Sequence, residues 1–482
     1  MEVTRAVSNC ATAAGFGFGD DTAIVAVQHM LWQTVDLFEA IVALGVKREN
    51  IFALGKVYSN SPMVIGTLRD RGITVLQSTI PQPGEFEQCF QLDVCRLWEL
   101  VSHKLASRKI KRILVLDDGG SCIGSSPREL VQRFAVCGVE QTSYGIFLFE
   151  VAPPPFAVMS WARTAVKLQI GGPIFSHCLL VKLEQRVLGG DALNEKNIGI
   201  IGLGSIGGSL ANLVARQDNK VAFYDPDPCL QIPSCLQGRI KRVESLAELM
   251  LSCDYVFGCS GRQPFRNQPT PQYRPGIKLF SASGGDHEFG PIIDDLKQRA
   301  GFSVTPGTWD ISCTDGPSGP ISIAYLGYPY NFVSRDIEAV PINIVQLETS
   351  GLLAGLIQAR IHLSLYERGQ VRNTGVHRIA PEAQRFVYER WRTVMKGLRI
   401  DLSQVYGCNP SLLLAMREPW WFSEKSEPLP SLLYEPNRIL EEAMARLADE
   451  RVTHSLDSSG SLRRISVPLE ARDSISTRPP AA

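Results

Sequence analysis

The segment Ile198-Gly-Ile-Ile-Gly-Leu-Gly-Ser-Ile-Gly207, followed by Val221-Ala-Phe-Tyr-Asp225, leaves few folds open to this chain. Ile198 to Ile201 reads as a buried parallel strand. Gly202 permits a tight turn, and Gly204 lets the backbone approach a pyrophosphate, with Ser205 and Ile206 beside it. Gly207 lets the next helix, Ser209 to Ala215, pack close to the sheet with its N-terminus aimed at the anion. A second strand ends on Asp225, 18 residues after Gly207, where a carboxylate accepts hydrogen bonds from an adenosine ribose. The alternative is a glycine-rich α/β turn without a ligand. Strand, turn, helix, strand and terminal acid together favour a dinucleotide, and the acid selects NAD because a 2′-phosphate sits badly beside a carboxylate.

The chain has 482 residues, enough for two or three domains. Its 49 basic and 49 acidic residues cancel, which removes any global electrostatic case for nucleic acid or an anionic membrane. The first twenty residues lack a basic segment followed by an apolar one, and no apolar stretch reaches spanning length. Twelve cysteines are scattered without a CxxC pair, so reduced thiols in a cytoplasmic protein without a metal site are expected.

Apolar runs alternate with helical patterns from residue 22 onward. Thr22 to Val27, Ile51 to Leu54, Ile73 to Leu76 and Ile110 to Leu116 read as strands, with helices at His29 to Leu44 and from Ser61-Pro62. A helix from about Ser176 to Leu188 leads into the dinucleotide unit. That unit continues with a helix at Leu246 to Leu251, strands at Asp254 to Gly258 and Ile277 to Ser281, and a helix near Ile292 to Arg299. A β-rich stretch around Ile321 to Leu326 follows, and Ile342 to Ile361 is a long apolar helix begun by Pro341.

The expected fold class is α/β with two doubly wound domains: a substrate domain into which a central NAD-binding Rossmann domain is inserted, plus a helical C-terminal extension. Residues 1–20 form an N-terminal segment and 21–190 the first part of the substrate domain. Residues 191–340 form the NAD-binding domain, 341–370 a helix returning to the substrate domain, 371–450 the helical extension and 451–482 a disordered tail. Trp420-Trp421-Phe422 in the extension reads as a packing anchor.

Several segments, in order, resemble the S-adenosylhomocysteine hydrolase family over residues 22 to 365. His29-Met30-Leu31-Trp32-Gln33-Thr34 with Ala43-Leu44-Gly45 resembles its HMT helix, and Leu116-Asp117-Asp118-Gly119-Gly120 its LDDGG strand end. Gly138-Val139-Glu140-Gln141-Thr142-Ser143-Tyr144-Gly145 resembles its EETTTG loop, and Ala162 to Lys167 its NDSVTK segment. Asp225-Pro226-Asp227-Pro228, Cys259-Ser260-Gly261, Ser283-Gly284-Gly285 and Gly327-Tyr328-Pro329 fall where that family has ExDP, TTG, IGH and GHP.

The resemblance implies resident NAD, transient oxidation of a ribose 3′-hydroxyl, and elimination or hydrolysis at C5′ of an adenosyl or related nucleoside compound. It gives Lys167 the 3′-hydroxyl proton, Asp118 the C4′ region and His29 the departing group, and makes Gln141 a substrate contact. Thr142, Ser143, Tyr144, Ser260, Gly261, Ser283 and Gly284 become NAD contacts. Read without it, the three catalytic candidates are a surface lysine, a turn aspartate and a helix-terminal histidine. It also implies a homo-oligomer.

The departures are equally specific. Gln141 stands for a glutamate, Gly171 for an aspartate, and Gly285 and Tyr328 for histidines, although His287 lies two residues from Gly285. Lys56 to Met63 lacks the expected substrate pattern, and the family's C-terminal lysine and tyrosine are not recognisable. The NAD half is therefore closer to the family pattern than the substrate half. Two other readings stay open: a net NAD-dependent dehydrogenase of a different hydroxy substrate, and a non-catalytic NAD-binding protein.

Overall fold

A computed structural model describes residues 1–184, 193, 195–215, 219–232, 236–268, 270–333 and 340–398, and the backbone of two strands, Val452–Leu456 and Leu462–Ser466. The Trp420–Phe422 cluster and most of the C-terminal extension lie outside these residues. Within 451–482, where the sequence suggests disorder, the two described strands pair as an antiparallel hairpin.

The chain forms two doubly wound α/β sheets. The first contains β1 (Thr22–Met30), β2 (Ile51–Asn60), β3 (Thr74–Leu76), β4 (Arg112–Asp117), β5 (Ala135–Glu140) and β6 (Val158–Ser160). All its pairings are parallel, in the order β3-β2-β1-β4-β5-β6. Alternate residues of each central strand enter separate cores. Ala23, Val25 and Val27 of β1 face one side with Ile113 and Val115 of β4. Ile24 and Ala26 face the other with Leu114 and Leu116. Both faces are covered, so these strands read as unbroken apolar runs, as buried parallel strands do.

The second sheet contains β7 (Asn197–Ile201), β8 (Lys220–Tyr224), β9 (Ile240–Arg242), β10 (Tyr255–Gly258), β11 (Ile277–Ser281), β12 (Phe302–Val304), β13 (Ile311–Cys313) and β14 (Ile321–Ile323). The order β9-β8-β7-β10-β11-β14 is all parallel, and β13 and β12 extend it antiparallel. This is the Rossmann arrangement, with its reversal of winding between β7 and β10. In the first sheet the reversal lies between β1 and β4.

Helix Ile342–Glu367 crosses back and buries Leu347, Leu353, Leu356 and Leu363 in the first domain. Trp161 packs so closely on Gly351 that a Cβ there would lie 2.2 Å from its ring. The helix also receives the N-terminus: helix Glu2–Ala13 packs on it, with Val3 N–H donating to Gln346 Oε1 at 2.9 Å and Thr4 paired with Ser350 at 3.1 Å. Beyond it the chain does not turn purely helical, as the sequence suggests for 371–450. The strand β15 (Val376–Arg378) pairs parallel with β6 and completes a seven-stranded first sheet. Helix Pro381–Gly397 then returns, and its Trp391 ring N–H donates to Ile344 O at 3.0 Å.

Two local readings differ from the structure near the site. The sequence places His29 at the start of a helix, but His29 is the penultimate residue of β1, and the helix begins at Trp32. Pairing of Met30 with Asn60 holds the chain extended where the helical period alone does not. The sequence ends β2 at Leu54; the strand runs on to Asn60 through an irregularity in its pairing with β1. Gly55 makes room there, since a Cβ would lie 1.9 Å from Asn60 Oδ1. The sequence reading has no helix between β3 and β4, where the 20-residue helix Phe86–Leu105 forms with an apolar stripe of Phe86, Phe90, Val94, Leu97, Trp98, Val101 and Leu105.

Candidate functional site

Crevices outside the C-terminal ends of strands at a winding reversal are where doubly wound sheets bind ligands. Here both reversals open onto one cavity of about 450 Å³. All the sequence-nominated residues line it except Gly202, Gly207 and Asp225: His29, Asp118, Gln141, Thr142, Ser143, Tyr144, Lys167, Gly204, Ser205, Ile206, Ser260, Gly261, Ser283 and Gly284.

One wall belongs to the glycine turn. Gly202 has φ +85°, and a Cβ on it would lie 2.7 Å from Ser260 Cα. A Cβ on Gly207 would lie 1.9 Å from Gly202 O, so the turn and helix Ser205–Val214 can approach only with glycine there. Gly204 is different: its Cβ position meets no protein atom within 4 Å. That opening over a helix N-terminus is the cradle a pyrophosphate requires. Asp225, one residue past β8, accepts from Leu203 N–H at 2.8 Å and Asp227 N–H at 3.0 Å, bracing the turn beside the ribose position. These residues fit NAD. The Ser205 hydroxyl donates to Leu168 O, joining the turn to the segment that carries Lys167.

The opposite wall is built from charged side chains. Asp118, just beyond β4, accepts from Lys56 through Oδ1 and from Gln141 through Oδ2; His29 Nε2 lies 3.2 Å from Oδ2. Gln28 donates to Gln141 at 2.9 Å, and His29 Nδ1 meets Ser59 Oγ at 2.6 Å. Burial alone would raise the Asp118 carboxyl, but Lys56 and then His29 outweigh it and hold it well below the usual carboxylate range. Burial alone would lower the Lys56 ammonium, but Asp118, then Tyr58, more than reverse this and keep it charged. Lys56, buried on the extended part of β2, is a site residue the sequence reading missed, as is the cavity-lining Glu348. The alternation of Lys56 with Tyr58 is a weak signal beside the lost motif that drew attention to the segment.

Asp117 and Glu140 lie side by side at the ends of β4 and β5, both fully buried. Asp117 accepts from Ile123 N–H at 2.8 Å; Glu140 accepts from Gly119 N–H, Thr142 N–H and the Thr142 hydroxyl at 3.1, 2.7 and 2.6 Å. Burial pushes Asp117 up to about 7 and Glu140 well above the usual range. This pair shapes the loop bearing Gln141, Thr142, Ser143 and Tyr144.

Lys167 begins a wide helical turn, Lys167–Gly171, ahead of helix Gly172–Leu183. Its ammonium is 2.9 Å from Glu348 Oε2, which also accepts from the Trp161 ring N–H at 2.7 Å. Glu348 Oε1 is buried and has no hydrogen-bond partner among the described residues. Gly171, read as a lost aspartate, is the space Glu348 uses: a Cβ there would lie 2.2 Å from Glu348 Oε1. The carboxylate comes from the crossing helix instead, more than 170 residues away in the chain.

The other departures are filled by aromatics. Tyr328 packs on Tyr58 and Phe86 with ring centroids 5.0 and 5.5 Å apart, and Phe332 stacks on His29 at 4.2 Å. A Cβ on Gly285 would lie 3.0 Å from the Phe86 ring. His287 does not line the cavity; it stacks on Tyr144 at 4.4 Å, and its Nε2 lies 3.4 Å from Glu87. Burial, then Lys56, pushes it down to about 4, so it is neutral near pH 7.

Residues 180–263 match the family model of the NAD-binding domain of D-isomer specific 2-hydroxyacid dehydrogenases. An uncharacterised protein found in two strains of Mycobacterium tuberculosis is 28% identical over 366 residues, covering 73% of this chain and 69% of the relative. Among solved structures, a glyoxylate reductase from Paecilomyes thermophila is 14% identical, with a TM-score of 0.33 over 73% of this chain and 98% of its own. An NAD-dependent formate dehydrogenase from Staphylococcus aureus in complex with NAD is also 14% identical, with a TM-score of 0.31 over 72% of this chain and 96% of its own. Superpositions this loose carry nothing about substrate.

The family match corrects the resemblance to S-adenosylhomocysteine hydrolase: the matching domain is that of the 2-hydroxyacid dehydrogenases. The ordered short motifs mark strand ends at the winding reversals of two facing α/β sheets, and any two-domain dinucleotide fold needs compact turns at those places. They report backbone architecture rather than a nucleoside or a hydrolytic reaction. The central domain binds NAD. Among the described residues no helix is long and apolar enough to cross a membrane.

Proposed function

We propose that the chain is an NAD-dependent dehydrogenase that interconverts a hydroxyl and a carbonyl group on a small molecule and exchanges its cofactor with solution. The observation that carries this reading is the unpartnered Glu348 Oε1, held beside Lys167 in the cavity that the glycine turn also lines. NAD, when bound, supplies a two-electron oxidant.

The remaining work is proton transfer and orientation. Lys167 commits one N–H to Glu348 and has two further donors for a substrate oxygen. Glu348 then takes the hydroxyl proton on Oε1, while Trp161 fixes its other oxygen. On the facing wall, Asp118 is pinned by Lys56 and orients His29 and Gln141 toward the rest of the substrate. Phe332 and Tyr58 shield that corner from water.

The test supplies NAD with a panel of hydroxy acids, polyols and nucleosides and follows NADH released to solution. Accumulation beyond one equivalent per protein is expected, and Glu348→Gln should slow it about a hundredfold or more while NAD still binds. Substrate conversion without net NADH, or a Glu348→Gln variant at full rate, would overturn the reading.

A further inference from the structure

The loops that follow β10 and β11 are tied together by a side chain standing behind the cavity lining. Glu288 is fully buried. Its Oε1 accepts from Gly261 N–H at 2.8 Å, the Ser283 hydroxyl at 2.5 Å and the Ser260 hydroxyl at 3.0 Å; the Ser260 hydroxyl is also 3.0 Å from Oε2. Ser260 in turn accepts from Arg262 N–H at 3.1 Å. Gly258 leaves the space, since a Cβ there would come within 2.8 Å of the Glu288 side chain. Ser260, Gly261 and Ser283 line the cavity.

Strand order says which half of the cofactor these loops meet. Asp225 follows β8 and marks the adenosine side of the reversal between β7 and β10. The loops after β10 and β11 lie on the other side, where the nicotinamide half belongs. The nicotinamide ring carries a positive charge in the oxidised cofactor and none in the reduced one, so a fixed anion behind it favours the oxidised form.

We propose that Glu288 is the positioning residue of the nicotinamide half: its carboxylate clasps the loops after β10 and β11 and biases the site toward oxidised over reduced cofactor. As a carboxylate it accepts every hydrogen bond aimed at it; as an acid it must donate one, and the clasp loosens. Burial pushes this group up to about 7, against the bonds from Ser283, Gly261 and Ser260. Beside it is the Cys259 thiol, pushed well above its usual range by burial and by Glu288, while the Arg262 guanidinium lies 4.1 Å from the Phe147 ring. His287 is pushed down to about 4 by burial, then Lys56, and Asp286 up to about 6 by burial. Among these neighbours Asp286 is the one that changes charge near Glu288's range, so it is the control.

The inference rests on the NAD site, and titration calorimetry with NAD and with NADH separates the two claims. Between about pH 6 and pH 8 the ratio of the NADH to the NAD dissociation constant should rise about tenfold in the wild-type protein. Asp286→Asn should keep that rise and Glu288→Gln should abolish it. A flat wild-type ratio with both cofactors bound overturns the role of Glu288, whatever the variants do. A rise that survives in Glu288→Gln overturns it as well. Failure of either cofactor to bind at any pH overturns the cofactor reading itself, and the proposal with it.

Discussion

The two walls of the cavity occupy the same topological place, the winding reversal of a doubly wound sheet, yet they use opposite materials. At β7 and β10 the site is backbone: Gly202, Gly204 and Gly207 set how closely chain and ligand approach, and one hidden carboxylate, Glu288, ties the loops together. At β1 and β4 the site is side chain: Lys56, Asp118, His29 and Gln141 form a connected set of ionic and polar contacts. A backbone wall recognises a ligand common to many enzymes. A side-chain wall is free to change with substrate, and the match to the NAD-binding domain model, residues 180–263, falls on the backbone wall.

The sharpest way to break this contrast is at the glycines themselves. Gly207→Val forces a Cβ to within 1.9 Å of Gly202 O, a backbone atom that cannot move aside. We expect a loss of more than about 5 kcal/mol in denaturant unfolding of this domain, with NAD binding gone. Gly204→Ala meets no protein atom, so unfolding should be unchanged while NAD affinity falls. Equal effects of the two substitutions on stability would show that Gly204 is structural and not a ligand contact.

On the other wall the test is charge. Lys56 and Asp118 have side chains 5% and 6% exposed, whereas Lys167 and Glu348 are 23% and 12% exposed. Removing one partner of a buried pair strands the other, so Lys56→Met should cost about 3–5 kcal/mol in equilibrium unfolding. Lys167→Met should cost about 1 kcal/mol, because solvent reaches that pair. The double variant Lys56→Met with Asp118→Leu should recover most of the loss. If the double variant is no better than Lys56→Met, the wall is held by shape and not by balanced charge.

The same contrast explains what was legible in the sequence. The glycine turn, β7, β8, β10 and β11 follow from local rules, since a turn that must pass close to a phosphate needs glycine at fixed offsets. The charged wall joins residues on different strands. Lys56 meets Asp118 only because β2 runs past Gly55, and Glu348 fills the space at Gly171 only because a helix returns from far along the chain. No local period reports such meetings. The sequence places His29 in a helix for the same reason: pairing of Met30 with Asn60, not local preference, fixes the backbone beside it. The short motifs suggested the wrong family because they describe strand ends and not what the side chains at those ends bind.

Both walls also hide acids, and these make stability depend on pH. Burial raises Asp117 and Glu288 to about 7 and Asp286 to about 6, and pushes Glu140 well above the usual carboxylate range. Each folded-state value lies above the unfolded one, so the stability these groups lend is fully present below about pH 4. It is lost as pH rises through the folded value. His287 and His362, both pushed down to about 4 by burial first, act in the opposite sense: their contribution is present above about pH 6.5 and lost as pH falls toward 4. Between about pH 6 and pH 8 the acids dominate, and the cofactor-free protein should lose stability in urea unfolding as pH rises. Asp117→Asn and Glu288→Gln each remove one acid, the first from the charged wall and the second from the backbone wall, and each should make that slope shallower while Glu140 and Asp286 still contribute. A slope carried wholly by one of them would mean that only one wall stores a proton at neutral pH.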